Sequence, residues 1–478
     1  MKKSMTLLLT GLVLLLILGA CSSGTASEKE NNNEKDNAGE TGENDADNGK
    51  EGNEDDNASS EEADGEGEQE KIKGKYEFDR PDTVRGLYAT GHSVGGERFD
   101  ELVDLIDQTD LNSMVIDIKD DEGYLTYKPD DDSDIESTGQ PYINDPEEVL
   151  EKLHEKDIYP IARIVVFKDS VMAEESPELS FKEGDQVWKN GKGDAFVSPF
   201  KKEVWENNLA IAKEAAEMGF QDIQFDYVRF PEGFETRADD LNYDKGDYAE
   251  MDDDVEARVQ SVTDFVAYAE EELDDYDVDV SVDIFGYTAA VPNAPGIGQD
   301  LVKIGEHIDV LSSMIYPSHW GEGSLDIDKP DLKPYETVFE YAVKEKDKLF
   351  RMDDPPISRP WIQDFTASWL GSGNYKEYGK EEVEAQIRAL NESGIDEFLL
   401  WNASNNYTQN VDYTPPMDDN VLEQVEQDDE KLREEIEADE ENDSDENNAE
   451  NDGAAEDAGD NDQAENEAEN DDAGNDAA

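Results

Sequence analysis

The sequence predicts an α/β fold, a (β/α)8 TIM barrel flanked by disordered acidic tails, on three observations. Eight short apolar runs of strand character recur between residues 76 and 427. Amphipathic segments that close on glycine separate them, and strand, helix, glycine, strand is the repeat of a parallel sheet. The composition becomes globular at about residue 76 and polar again at about residue 428, which brackets one barrel with insertions.

The chain opens MKKSMTLLLTGLVLLLILGAC, with Lys2 and Lys3, an apolar run from Leu7 to Leu18 and small residues before Cys21. That order predicts a secretory signal over residues 1–20, because the apolar run is short for a stable membrane span. Leu18-Gly19-Ala20-Cys21 resembles a bacterial lipobox, which implies cleavage before Cys21 and lipidation of its thiol. The expected location is therefore extracytoplasmic, with a lipid anchor in the cell membrane. Cys21 is the single cysteine, so the chain has no intrachain disulfide framework.

Residues 21–75 and 428–478 are rich in Glu, Asp, Asn and Gly. Such segments bury too little surface to offset their chain entropy and are expected to be a solvated tether and a solvated tail. They carry much of the formal charge of −85, from 40 Lys+Arg against 125 Asp+Glu. That charge favours solubility and makes nucleic acid and anionic lipid head groups poor partners for the tails, so no nucleic-acid partner is expected.

The strand-like runs are VRGLYAT from Val84, SMVIDIKD from Ser113, YPIARIVVF from Tyr159 and DIQFDYVRF from Asp222. VDVSVDIFGY from Val278, VLSSMIYPSHW from Val310, ISRPWIQDF from Ile357 and EFLLWNASN from Glu397 complete the set. Between them, Leu209, Ala212, Ala216 and Met218 keep helical spacing up to Gly219, and Val383, Ile387 and Leu390 do so up to Gly394. An open doubly wound sheet is the competing architecture. It lacks support because GHSVGGERF does not have the glycine spacing of a dinucleotide loop.

Barrel active sites lie at the C-terminal ends of the strands. Alternation along DIQFDYV puts Gln224 and Asp226 on one face and Ile223, Phe225 and Tyr227 on the other. The apolar face suits the helices, so Asp226 is expected in the barrel mouth, followed by Tyr227 and Arg229. The same logic turns Ser281, Asp283 and Phe285 inward, and adjacent strands then offer two carboxylates at similar depth. Asp117 and Lys119, Arg163, Tyr316, His319 and Trp320, Trp361, Gln363 and Asp364, and Trp401 and Asn402 are the other candidates for the mouth. Carboxylates among Trp, Tyr, His, Asn and Arg describe a sugar site, where rings stack on pyranose faces and polar groups bond hydroxyls. Two carboxyl groups, one ionised and one protonated, are what glycoside hydrolysis needs, and Asp226 and Asp283 are the candidate pair.

Structural readings compete at each position. Asp226 can be salt-bridged to Arg229 or Arg163, Asp283 can bond Ser281 or a lysine, and Lys119 can neutralise Asp117. The four histidines at 92, 154, 307 and 319 have no ligand spacing, so no zinc site is expected and no cofactor motif is present. DDDS at 130 and MDDDVE at 251 read as solvated acidic turns in preference to calcium loops.

VRGLYAT, VIDIKDDEGYLTY, FDYVRFP, VDIFGYT, MIYPSHW, RPWIQDF and LWNASN together resemble a glycosyl hydrolase family of bacterial envelope proteins, whose barrel is similar in plan to that of the α-amylases. The resemblance spans residues 80–415. It implies a hydrolase acting on carbohydrate, with Asp226 at the fourth-strand nucleophile position. The chain departs from the amylase pattern in having Gln224 where an arginine precedes the nucleophile, and Asp283 where a fifth-strand glutamate is the acid. The expected function is a lipid-anchored glycoside hydrolase of an envelope or environmental polysaccharide. A carbohydrate-binding lipoprotein without turnover and a structural envelope protein are the rivals, and oligomeric state is left open.

Overall fold

The computed structural model describes residues 71–129, 135 and 137–455. The signal segment, Cys21 and the acidic turn at 130 lie outside the described residues. Nine strands form the main sheet: β1 (Arg85–Ala89), β2 (Ser113–Lys119), β3 (Tyr159–Val165), β4 (Asp222–Asp226), β5 (Asp279–Phe285), β6 (Val310–Met314), β7 (Ile357–Ser358), β8 (Trp361–Gln363) and β9 (Phe398–Trp401). Every neighbouring pair is parallel, in the order β8-β9-β1-β2-β3-β4-β5-β6-β7, and Trp361 of β8 also pairs with Met314 of β6. That last pairing closes the sheet. β7 and β8 are one stave broken at Arg359-Pro360, so the barrel has the eight staves the sequence predicts.

Alternation decides which residues meet the helices. Met114, Ile116 and Ile118 of β2 and Ile223 and Phe225 of β4 are buried in the outer core, while Val115, Ile161, Trp361 and Leu399 fill the inside. Burying each large aliphatic group stabilises the fold by about 1.5–3 kcal/mol. The main covering helices are α1 (Arg98–Asp107), α2 (Pro146–His154), α3 (Lys202–Met218), α4 (Asp254–Leu273), α5 (Leu301–Gly305), α6 (Pro334–Leu349) and α7 (Lys380–Asn391). Asp145 caps α2 ahead of Pro146, and Gly219 ends α3 at a φ of 119°, a conformation that favours glycine. The acidic run at 251 is a cap as well, since Asp253 accepts from the amides of Val255 and Glu256 at the start of α4.

Both ends of the described region differ from expectation. Ile72, assigned to the tether, exchanges backbone hydrogen bonds with Asp275 and Asp277. A helix, α8 (Asp419–Ala455), runs through the first half of the predicted solvated tail. Its apolar residues Val425, Leu432 and Ile436 recur at helical spacing, and Ile436 is 4% exposed. Lys346 of α6 pairs with Asp429, and Arg433 lies 3.9 Å over the Phe350 ring. A few apolar residues in a polar stretch thus suffice once another helix supplies their partners. Among the described residues no helix is long and apolar enough to cross a membrane.

Candidate active site

The last residue of β4, Asp226, is 5% exposed and bound twice by Arg163 of β3, from Nε at 3.0 Å and Nη2 at 2.6 Å. Its other oxygen accepts the amide of Tyr227 at 2.6 Å. Tyr227 itself has a φ of 54°. A bulky residue in that left-handed region costs about 1–2 kcal/mol, and strain of this kind clusters at functional sites.

Arg163 serves two more carboxylates. Nη1 donates to Asp117 at 2.6 Å and Nη2 to Asp121 at 2.9 Å, while the guanidinium lies over the rings of Tyr88 and Trp401. Tyr88 donates its hydroxyl to Asp117 at 2.5 Å and stacks on Trp401 with 4.3 Å between ring centres. Lys168 bonds Asp121 at 3.0 Å and lies over Tyr227. Three carboxyl groups therefore share one guanidinium, with the ammonium of Lys168 added at Asp121.

Asp283 is held differently. The register pairs Phe225 with Val282, so Asp226 and Asp283 occupy the next rung of adjacent parallel strands, which lie about 4.8 Å apart. Asp283 is 2% exposed, and the only side chain that donates to it among the described residues is the neutral Trp361, from Nε1 at 2.8 Å. Burial, then the neighbouring Asp226 charge, push its pKa well above the ordinary carboxylate value. Burial also pushes Asp117 up to about 7 against the pull of Arg163. In Asp121, burial is overcome by Arg163 and Lys168, which hold the pKa well below normal. Neighbouring acids with such different protonation are the pattern that acid–base chemistry uses.

Of the residues singled out from sequence, Asp117, Arg163, Asp226, Asp283, Tyr316, Trp361 and Trp401 meet in the mouth, with Tyr227 beside them. Lys119 does not. A β-bulge shifts the register so that Asp117 pairs with Arg163 and Lys119 with Ile164. Lys119 turns to the helix layer, fully buried against Asp169 at 2.7 Å and Asn208 of α3 at 3.0 Å. Arg229 is also displaced: it lies between the Tyr227 and Phe285 rings, 4.5 Å from each, so the clamp on Asp226 is Arg163.

Gln363, Asp364 and Asn402 spend their polar atoms on the protein. Gln363 accepts the Ser318 amide and donates to Asp331, Asp364 accepts the amide and hydroxyl of Thr408, and Asn402 donates to the carbonyls of Asp364 and Asn406. They hold the loops that frame the mouth. Trp320 packs half-buried against Tyr341, whereas His319 is exposed at the rim.

Sequence reasoning missed Tyr88, Asp121 and Lys168. Tyr88 was within reach, since alternation turns it to the same face as Gly86. Asp121 and Lys168 follow the ends of β2 and β3, where no periodicity orients a side chain. Among the described residues no group of acidic, histidine or cysteine side chains is arranged to hold a metal ion.

A family described as "Putative glycosyl hydrolase domain" matches residues 86–407. The chain belongs to this family. Its barrel is that of a glycoside hydrolase, and a carbohydrate is the substrate class this implies. A hypothetical protein from Ruminiclostridium thermocellum is 34% identical over 41% of this chain and 96% of its own, with a TM-score of 0.35. The PgaB (BpsB) glycoside hydrolase domain from Bordetella bronchiseptica is 15% identical over 68% of this chain and 95% of its own, with a TM-score of 0.47. The Bacillus cereus spore cortex-lytic enzyme SleL is 12% identical over 68% and 72%, with a TM-score of 0.39. No curated protein matches the chain.

Proposed function

We propose that the mouth hydrolyses a glycosidic bond in an extracytoplasmic polysaccharide, with Asp226 as the ionised nucleophile or base and Asp283 as the acid. One observation carries this reading: two inward carboxyl groups on the same rung differ in partner, Asp226 bound by a guanidinium and Asp283 by a neutral indole. Burial and the neighbouring Asp226 charge favour the protonated form of Asp283. The acid gives its proton to the departing oxygen. Asp226, or a water it activates, meets the sugar carbon as positive charge builds there. Trp401, partly exposed at the mouth, supplies an aromatic surface for the sugar.

The location rests on the sequence alone: a signal over residues 1–20, then Cys21 as the lipidated residue, with the acidic segment after it as tether. Labelling with a radioactive fatty acid, lost in Cys21→Ala, is the corresponding check.

The deciding experiment is a screen of glycans from bacterial envelopes and from the environment, read as new reducing ends. The wild type releases products from at least one, and Asp226→Asn and Asp283→Asn release none while keeping the thermal unfolding midpoint. Full activity of either variant overturns the assignment. Binding without products in the wild type would support the non-catalytic reading instead.

A further inference from the structure

The loop after β8 carries an exposed tryptophan that the catalytic reading does not use. Trp369 is 43% exposed and sits in the short turn Ser368–Leu370. Exposed apolar residues are ordinary when scattered singly. This one is continuous with the mouth. Its ring stacks on Phe365 with centres 5.8 Å apart and planes 19° apart. Phe365 meets Tyr316 at 5.9 Å, and Tyr316 meets Trp401 at 6.3 Å. His319, exposed on the loop after β6, stands edge-on to both Trp369 at 6.5 Å and Phe365 at 6.3 Å. Three ring-to-ring steps thus lead from the aromatic wall of the catalytic carboxylates to the open rim.

The turn is held in place. Ala367 is fully buried, Leu370 donates its amide to Ala367 and accepts from Asn374 at 3.1 Å, and Tyr378 donates its amide to the Thr366 hydroxyl at 3.0 Å. A ring fixed before a ligand arrives loses little freedom on binding. An exposed indole with His319 beside it, whose Nδ1 is engaged by the Ser318 hydroxyl at 3.0 Å, offers the kind of surface that stacks on the C–H face of a pyranose.

We infer that Trp369, Phe365 and His319 form an outer subsite that stacks a further sugar ring of the chain whose bond is cut at Asp226 and Asp283. The substrate is accordingly an oligosaccharide or polysaccharide extending over the β6 and β8 loops. This rests on the proposed catalytic reading for the direction of the chain, but its test reads binding.

Native electrophoresis is run in gels containing glycol chitin, soluble starch or galactomannan, with sedimentation on peptidoglycan sacculi as a fourth probe. The expected result is that at least one glycan retards or sediments the wild type, and that Trp369→Ala binds that glycan roughly 3- to 10-fold more weakly, the range expected for one lost stacking contact. Trp369→Phe recovers most of the affinity. Circular dichroism confirms that each variant is folded. No binding by the wild type to any of the four, equal binding by Trp369→Ala, or a Phe variant as weak as the Ala variant overturns the subsite. If Asp226→Asn keeps turnover while Trp369→Ala loses affinity, the catalytic assignment fails and the subsite stands.

Discussion

The two ends of this barrel each hold a cluster of buried charges, and they are wired differently. At the floor, Arg359 is fully buried and reaches Asp222 at 2.6 Å and Glu397 at 2.7 Å, while Arg80 binds Asp279 at 2.8 Å. Ser281 adds a hydroxyl to Asp222 at 2.5 Å. Each floor carboxylate has a cationic partner, and the pairs tie β4 to the stave of β7 and β8 and to the entry of β9. At the mouth one guanidinium is shared among three carboxyl groups, and a fourth, Asp283, has only an indole donor among the described residues. Paired charges at the floor join staves, although burial still pushes Asp222 up to about 6, whereas at the mouth Asp283 has no cationic partner among the described residues and its pKa is pushed well above the ordinary carboxylate value. The difference separates a network that holds the fold from one equipped for chemistry.

The comparison breaks most visibly at Asp226. Asp226→Asn is expected to lower kcat/KM on a confirmed glycan by at least about 10³-fold, with a thermal midpoint close to that of the wild type. At the floor the effect is reversed. Arg359→Met leaves Asp222 and Glu397 buried without their cation and should cost about 3–5 kcal/mol in denaturant unfolding, with kcat/KM of the folded protein unchanged. Adding Asp222→Asn and Glu397→Gln to it should restore much of that stability, since the orphaned charges are then gone.

Asp283→Asn sharpens the contrast within the mouth. Loss of a general acid should cost about 10²–10³-fold on a sugar with a poor leaving group and less on one with a good leaving group. In the wild type, activity falls as pH rises through the raised pKa of Asp283, and that basic limb should vanish from the residual activity of the variant.

The smallest effect is at Asp117. With its pKa pushed up to about 7, this group keeps a proton in the folded state between about pH 4 and pH 7 that the unfolded chain has lost. The unfolded state binds fewer protons there, so Asp117 draws stability down as pH rises through that window. Asp117→Asn should therefore gain relative to the wild type between pH 4.5 and pH 7.5, by about 1 kcal/mol or more in denaturant unfolding. A gain in the opposite direction would show that Arg163, rather than burial, dominates this carboxylate.

The staves were legible because each needs only local information. Outward apolar residues such as Ile223 and Phe225 alternate with inward polar ones, and the period of two survives without knowledge of partners. Asp226 and Asp283 were found in that way. The same rule misplaced Lys119, because a bulge adds one residue to β2 and nothing in SMVIDIKD marks where. Gln363, Asp364 and Asn402 were correctly placed near strand ends, but whether a polar group is free depends on Ser318, Asp331 and Thr408, which are distant in sequence.

By itself the sequence determined the eightfold repeat, the inward faces of β4 and β5 with their two carboxyl groups, and the aromatic character of the mouth, all consequences of periodicity and residue type. Tertiary structure alone decided that Arg163 and not Arg229 clamps Asp226, that an indole rather than a cation meets Asp283, and that α8 finds an apolar seat on α6. The physical reason is the same in each case. Ion pairing, burial and the resulting protonation depend on atoms a few ångströms apart in space, which chain order does not encode locally.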